Sequence, residues 1–131
     1  MSLNDNKATV RKIVDATNRQ DATVFAQCMT PAATEQYAQL SAWIHVNLAG
    51  HVAEITDILA EGDKVWTRLK TSGTHSGEVN GIAPTGRHWN NRGLYFWRFE
   101  GDKVAEFEGF FDDLNFMQQL GATLTLPNIT P

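Results

Sequence analysis

Hydrophobic positions in the first fifty residues recur three and four apart, which is the spacing of one face of an α-helix. One such series is formed by Val10, Ile13, Val14 and Thr17. We predict a second helix, capped by Asp21, that buries Phe25, Cys28 and Met29. A third helix is expected over residues 34–48, with the Thr30-Pro31 pair separating it from the second.

The second half of the chain is rich in β-branched and aromatic residues at alternating positions, which is typical of strands. The phrase Glu-Gly-Asp-Lys-Val occurs twice, at residues 61–65 and 100–104. Gly-Asp at the centre of a tight turn supplies the positive φ of a hairpin, so we predict two β-hairpins. Their strands are expected near residues 52–60, 64–75, 88–99 and 103–111, followed by a short helix over residues 113–120.

Helices followed by antiparallel strands predict an α+β fold with a single domain over residues 1–131. We expect a curved antiparallel sheet wrapped over the N-terminal helices. Such an arrangement encloses an apolar pocket between its two layers, and the chain has 4 Trp, 2 Tyr and 7 Phe residues that can line it.

Composition and charge narrow the classes of partner. The net charge is -4 and no basic stripe is present, which argues against nucleic-acid and membrane-surface partners. The single cysteine, Cys28, excludes a disulfide within the chain and favours a cytoplasmic setting. The four histidines are not spaced as metal ligands, so no metal site is expected. Without a secretory signal, the glycosylation triplet at residues 128–130 is interpreted as a chance match.

The adjacent carboxylates of Asp112 and Asp113 follow two phenylalanines and precede the predicted last helix. One interpretation is a helix cap, in which an aspartate oxygen accepts backbone N–H groups of that helix. The other is a general acid or base at Asp112. In that case burial among aromatic rings, together with a nearby Glu108, would raise the pKa of Asp112. The alternation of the last strand puts Glu106, Glu108, Phe110 and Asp112 on one side.

Other candidate residues surround Asp112 in the predicted sheet. His75 ends a strand and has three interpretations: a proton partner of Asp112, a residue that orients a substrate carbonyl, or a residue that shapes the following loop. The register of the second hairpin decides whether Asn91 or Arg92 lies opposite Asp112, and the sequence leaves this open. The predicted substrate-binding residues are Arg92, Asn91, Phe96, Glu108 and Phe110.

An ordered series of motifs carries a resemblance to a known family. The series comprises GTHSG at 73–77, GIAPTGR at 81–87, WRF at 97–99, Glu106, Asp112 and QLG at 119–121. Over residues 55–121 the chain resembles the SnoaL-like polyketide cyclases, which belong to the cone-shaped superfamily named for nuclear transport factor 2. The resemblance implies a cofactor-independent enzyme that uses an aspartate, here Asp112, as general acid/base. The reaction is an aldol cyclisation or an isomerisation of a small hydrophobic carbonyl compound.

The resemblance also implies a homodimer formed through the outer face of the sheet. The chain departs from the family at two points: Glu108 stands where a tryptophan is common, and no histidine lies between Trp89 and Asp112. These departures keep a non-catalytic small-ligand-binding or dimeric interaction module of the same fold as an alternative. A further alternative is an epoxide hydrolase-like site, in which Asp112 and Arg92 would belong to an Asp–Arg–Asp group that activates water.

Overall fold

The computed structural model of the protein describes residues 2–127, so the triplet at 128–130 lies outside the described residues. Three helices precede a four-stranded sheet and a short last helix. The elements are α1 (Leu3–Arg19), α2 (Thr23–Cys28), α3 (Pro31–Asn47), β1 (Leu48–Glu61), β2 (Lys64–His75), β3 (His88–Glu100), β4 (Lys103–Phe111) and α4 (Asp113–Gln119). The α+β architecture predicted from the pattern is confirmed.

Two predicted helix starts are wrong by a few residues. The N-cap position of α2 is Ala22 rather than Asp21, but Oδ1 of Asp21 accepts the backbone N–H of Thr23, the first residue of the helix, at 3.3 Å. The third helix begins at Pro31 rather than near residue 34, with Thr30 as its N-cap. Proline is tolerated in the first helical turn because its missing N–H has no partner there in any case.

The four strands form one antiparallel sheet in the order β1-β2-β3-β4. The repeated phrase makes both outer turns as predicted, with Glu61 opposite Lys64 and Glu100 opposite Lys103. Gly62 and Gly101 have φ values of 58° and 60°, in the left-handed region that glycine adopts without strain. The sheet therefore has two hairpins joined by the long connection between β2 and β3.

The inner face of the sheet packs on α1, α2 and α3. On β3 this face carries Trp89, Tyr95, Trp97 and Phe99, each at most 8% exposed. Trp97 is 1% exposed and donates its indole N–H to Oγ1 of Thr67, 3.1 Å away on β2. The buried aromatic rings and the three helices enclose the interior of the cone.

The outer face of the sheet presents an apolar strip between two charged rows. The strip consists of Leu59, Trp66, Phe96, Leu94 and Phe110, and it is interrupted by the exposed Arg68, which pairs with Leu94, and by Glu108, which pairs with Phe96. One charged row is Glu61–Lys64–Arg98–Glu106, and the other runs through Glu54–Lys70–Arg92 towards Asp112. Inward and outward residues therefore alternate clearly on β2, β3 and most of β4.

Candidate functional site

Two adjoining spaces lie between the inner face of the sheet and α3. The inner space has a volume of about 240 Å³ and is lined at its base by Tyr37, Tyr95 and Trp97. The outer space, of about 260 Å³, reaches towards Trp43 and Asp113. We call the residues shared by both spaces the waist: Leu40, Ile44, His51, Thr71 and Phe111. Because they share these walls, the two spaces are adjacent, and we call them together the cavity; both are partly open to solvent.

Few polar side chains line this cavity, and they come from different elements. His51 of β1 and Thr71 of β2 are buried at the waist. Asn91 of β3 and the exposed Asp113 of α4 line the outer space. A mostly apolar cavity with a few converging polar groups is the usual form of a small-molecule site.

Two glycines shape the wall of the cavity beside Phe111. Gly109 lies opposite Tyr95, and Gly93 lies opposite Phe111, in the ladder between β3 and β4. A Cβ atom on Gly109 would lie 2.7 Å from Cδ2 of Tyr95 and 2.8 Å from Cε2 of Phe111. The two aromatic rings therefore rest on the backbone of their neighbours, where a larger residue would push them into the cavity.

Two amide side chains fasten α4 to β3 at the mouth of the cavity. Gln119 accepts a hydrogen bond from Asn90 N at 2.9 Å and donates its side-chain N–H to Asn90 O at 2.6 Å. Asn115 donates its side-chain N–H to Asn91 Oδ1 at 3.2 Å. Gln119 thus pairs with both backbone groups of Asn90, as a neighbouring strand would. This attachment fixes the position of Asp113 beside the outer space.

The structure corrects the expected direction of Asp112. Its side chain is 35% exposed and lies on the outer side of the sheet, where Oδ2 is 3.7 Å from Arg92 Nη2. Oδ1 accepts the backbone N–H of Asn115 at 3.1 Å, so Asp112 is the N-cap of α4. The physical reason is alternation: Asp112 has the parity of Glu106 and Glu108, which is the solvent side. Of the two aspartates, Asp113 is the one that lines the cavity.

The predicted substrate-binding residues divide between the two faces. A register shift between Arg98 and Phe99 brings Arg92, rather than Asn91, opposite Asp112, and Asp112 N donates to Arg92 O at 3.1 Å. Asn91 lines the cavity. The other four lie on the outer face, so the expectation that they line the pocket is not met: Arg92, Phe96, Glu108 and Phe110.

His75 is fully buried and lies outside the walls of the cavity. Its Nδ1 accepts the backbone N–H of Thr85 at 3.1 Å and is 2.9 Å from Thr85 Oγ1. Its backbone N–H donates to Arg87 O at 2.9 Å. These contacts hold the connection between β2 and β3 against the end of β2, as in the loop-shaping interpretation, and they place His75 away from Asp112.

Neither water activation by an Asp–Arg–Asp group nor a metal site has support in the described part of the chain. Within residues 2–127, Asp112 is the only acidic partner in an ion pair with Arg92. The same residues contain no group of three or more His, Cys, Asp or Glu side chains able to hold a metal ion. None of the helices in this range is long and apolar enough to cross a membrane.

His51 is the buried ionisable group at the waist, and it makes stability depend on pH. Burial, with a smaller effect of nearby His45, lowers the pKa of His51 from 6.5 to about 4. Between these two values the unfolded chain binds more protons than the folded one. The free energy of unfolding is therefore expected to fall as the pH drops from 6.5 towards 4, by at most roughly 3 kcal/mol from this group.

Urea unfolding at about pH 7 and about pH 4.5 measures this dependence, with His51→Gln as the comparison. The variant should lose less stability on acidification than the wild-type protein, because it lacks the group that must be protonated. Equal losses in the two proteins would show that His51 is not held neutral by burial.

Sequence reasoning missed several residues of the cavity wall, namely His51, Thr71, Tyr95, Gly109 and Asp113. A signal for three of them was present. Arg92 and Arg98 mark the solvent side of β3, which turns Tyr95 inward, and the register then turns Gly109 inward as well. Thr71 has the parity of Val65 and Leu69 on β2, opposite to that of the charged Arg68 and Lys70.

The similarity to a known protein family covers more of the chain than the motifs between residues 73 and 121. Residues 6–120 match the family model described as SnoaL-like polyketide cyclase, so the match includes the N-terminal helices. No curated protein matches the chain.

Solved structures share the fold at low sequence identity. TsrD from Streptomyces laurentii superposes with a TM-score of 0.84 at 21% identity, over 94% of this chain and 99% of that one. AclR from Streptomyces galilaeus superposes with a TM-score of 0.81 at 24% identity, over 97% of this chain and 87% of that one. A SnoaL-like polyketide cyclase from Agrobacterium tumefaciens str. C58 superposes with a TM-score of 0.77 at 17% identity, over 92% of this chain and 99% of that one.

Proposed function

The chain belongs to the SnoaL-like polyketide cyclase family, and on this basis we propose that it is a cofactor-independent enzyme. It catalyses general acid/base chemistry on a small hydrophobic carbonyl compound, in an aldol cyclisation or an isomerisation. The compound occupies the cavity inside the cone, and a carboxylate at the mouth of the cavity moves the proton.

The observation that supports this proposal is the combination of an apolar cavity and one carboxylate on its wall. Rings and aliphatic side chains form most of the lining, which suits a hydrophobic compound. Removal of a proton from carbon needs a base within reach of that carbon. Among the cavity-lining residues Asp113 alone carries a carboxylate, so we assign it the role that the resemblance implied for Asp112.

A second candidate function is ligand binding without catalysis. The observation that favours it is the exposure of Asp113, because water competes with a bound compound for contact with an exposed carboxylate. In this case the cavity holds the same class of compound, and no bond is made or broken.

Exchange of the methyl protons of 1-acetonaphthone in D₂O distinguishes the two candidates. An acid/base enzyme should accelerate the exchange above the buffer rate, as followed by proton NMR, because exchange requires only removal of a proton next to a carbonyl. Binding of the ketone without acceleration would favour the binding protein. Absence of any binding would remove both candidates.

We further propose a homodimer that forms through the apolar strip on the outer face. Leu59, Trp66, Leu94 and Phe110 are between 41% and 64% exposed. The charged rows on both sides each contain two acids and two bases, so each is close to neutral and does not repel a second copy. An apolar centre with a polar rim is the usual anatomy of a protein interface.

Sedimentation of the wild-type protein and of Leu94→Lys tests the dimer. The wild-type protein should sediment as a dimer and Leu94→Lys as a monomer, because the lysine would bury a second positive charge beside Arg68, the cross-strand neighbour of Leu94. Val46→Lys is the control, since Val46 is 70% exposed and belongs to α3 rather than to the outer face of the sheet. A monomeric wild-type protein, or a dimeric Leu94→Lys variant, would contradict the proposal.

A further inference from the structure

His51 is the one ionisable side chain at the waist of the cavity, where the inner and outer spaces meet. The residue is 9% exposed. Its ring lies between those of His45 and Trp89, with centroid distances of 6.1 Å and 5.9 Å. The remaining walls of the waist are Leu40, Ile44, Thr71 and Phe111. A polar ring in such surroundings is costly to bury unless it has a use for its hydrogen-bonding groups.

The two ring nitrogens of His51 differ in their surroundings. Nδ1 is buried without a hydrogen-bond partner, and the same is true of Nδ1 of the neighbouring His45, so the two do not pair. Nε2 does not belong to the buried polar atoms that lack a partner, and within residues 2–127 it makes no side-chain hydrogen bond. The residue lines both spaces, and from the sealed position of Nδ1 we take Nε2 as the ring nitrogen that faces the cavity.

The single proton of the neutral ring belongs on Nε2. Burial keeps the ring neutral at pH 7, as described above. A buried N–H group without a partner is rarer in proteins than a buried acceptor without one. A proton on Nδ1 would create such an orphan donor, whereas a proton on Nε2 points into the cavity. The cavity therefore has a neutral N–H donor at its waist.

We infer that His51 is a catalytic residue that donates a hydrogen bond from Nε2 to a carbonyl oxygen of the bound compound. The inference rests on the proposed function and specifies its substrate: the carbonyl lies at the waist, with one apolar part in the inner space and the rest in the outer space. A neutral imidazole donor stabilises negative charge that develops on a carbonyl oxygen. Triosephosphate isomerase is an example, because a neutral histidine polarises the carbonyl of its substrate.

The position of the donor agrees with the position of the carboxylate. Both His51 and Asp113 line the outer space, so a compound whose carbonyl oxygen lies at His51 can present the neighbouring carbon to Asp113. The Asp113 carboxylate accepts the proton from this carbon, and the electron pair of the broken C–H bond moves onto the carbonyl oxygen as an enolate. The apolar walls around His51 strengthen the hydrogen bond to that oxygen, because the local dielectric constant is low.

Two probes of almost the same shape test the inference: 1-acetonaphthone, which has a carbonyl, and 1-ethylnaphthalene, which has a CH₂ group in its place. The wild-type protein should bind the ketone about tenfold more tightly, because the hydrocarbon leaves the Nε2–H without a partner. His51→Phe should bind both probes equally. His51→Gln, whose amide also donates, should keep the preference for the ketone to within about threefold. Affinities are measured by NMR titration, with His88→Phe on the exposed part of β3 as the control.

The imidazole nitrogen resonances of the wild-type protein give a second measurement that needs no variant. The ketone should shift the Nε2 resonance of His51, and the hydrocarbon should leave it in place. Equal affinities for the two probes, or a ketone that binds without moving this resonance, would overturn the inference and leave the proposed function standing. Failure of both probes to bind would instead refute the proposed function.

Discussion

The variant Asp113→Asn is expected to lower the rate of α-proton exchange at least about a hundredfold. Asparagine has the shape of aspartate but cannot take up a proton, and general acid/base catalysis by a positioned group contributes factors of about a hundred or more. Because Asp113 is exposed on the first turn of α4, the substitution should leave the fold intact. Exchange into 1-acetonaphthone in D₂O, followed by NMR, gives the rate.

The matched control is Asp112→Asn, one residue earlier in the chain. Asparagine is as good a helix cap as aspartate, so α4 should keep its start and the exchange rate should stay within about threefold of wild type. A large loss in Asp112→Asn with little effect in Asp113→Asn would restore Asp112 as the catalytic acid, as the family resemblance implied. Small effects in both variants would mean that neither carboxylate moves the proton.

The variant Gly109→Val is expected to lower the free energy of unfolding by about 3 to 4 kcal/mol. The first added carbon already meets the rings of Tyr95 and Phe111, both of which pack closely in the wall of the cavity. Tyr95 is held by Trp97, on which it packs with a centroid distance of 4.8 Å, so valine would push the ring of Tyr95 against Trp97 and that of Phe111 into the cavity. Urea unfolding followed by tryptophan fluorescence measures the loss.

Glu108→Val is the control for this prediction, because Glu108 is the preceding residue of β4 and faces solvent. A β-branched residue suits an exposed strand position, so the free energy of unfolding should change by less than about 0.5 kcal/mol. Similar losses in the two variants would show that β4 does not tolerate valine in general. A stable Gly109→Val protein would mean that the aromatic rings are not fixed on Gly109.

Much of the sheet was predictable because the repeated Glu-Gly-Asp-Lys-Val phrase fixes both hairpin turns. The bounds of β2 and β4 follow directly from it. The direction of Asp112 was predictable too, since it shares its parity with two glutamates that have no reason to be buried. The mistaken inward assignment gave the phenylalanines before Asp112 more weight than the alternation of charge along β4.

The position of His51 could not be obtained from alternation. A register shift between Ala49 and Val52 interrupts the ladder of β1, and Gly50 has a φ of 68°. A bulge of this kind changes which residues face inward, and its place is set by contacts with other elements. Among these contacts, Asn18 of α1 exchanges two hydrogen bonds with the backbone of Ala53, at 2.8 Å and 2.9 Å. The waist of the cavity therefore depends on tertiary structure rather than on the local pattern.

The central claim is that the chemistry takes place in the cavity inside the cone, and a blocked cavity tests it most directly. Leu40→Trp on α3 places a large ring at the waist, whereas Val46→Trp places the same ring on an exposed position of the same helix. The rate of α-proton exchange into 1-acetonaphthone should fall to the buffer rate in Leu40→Trp and remain that of the wild type in Val46→Trp. Undiminished exchange in a folded Leu40→Trp protein would contradict the claim.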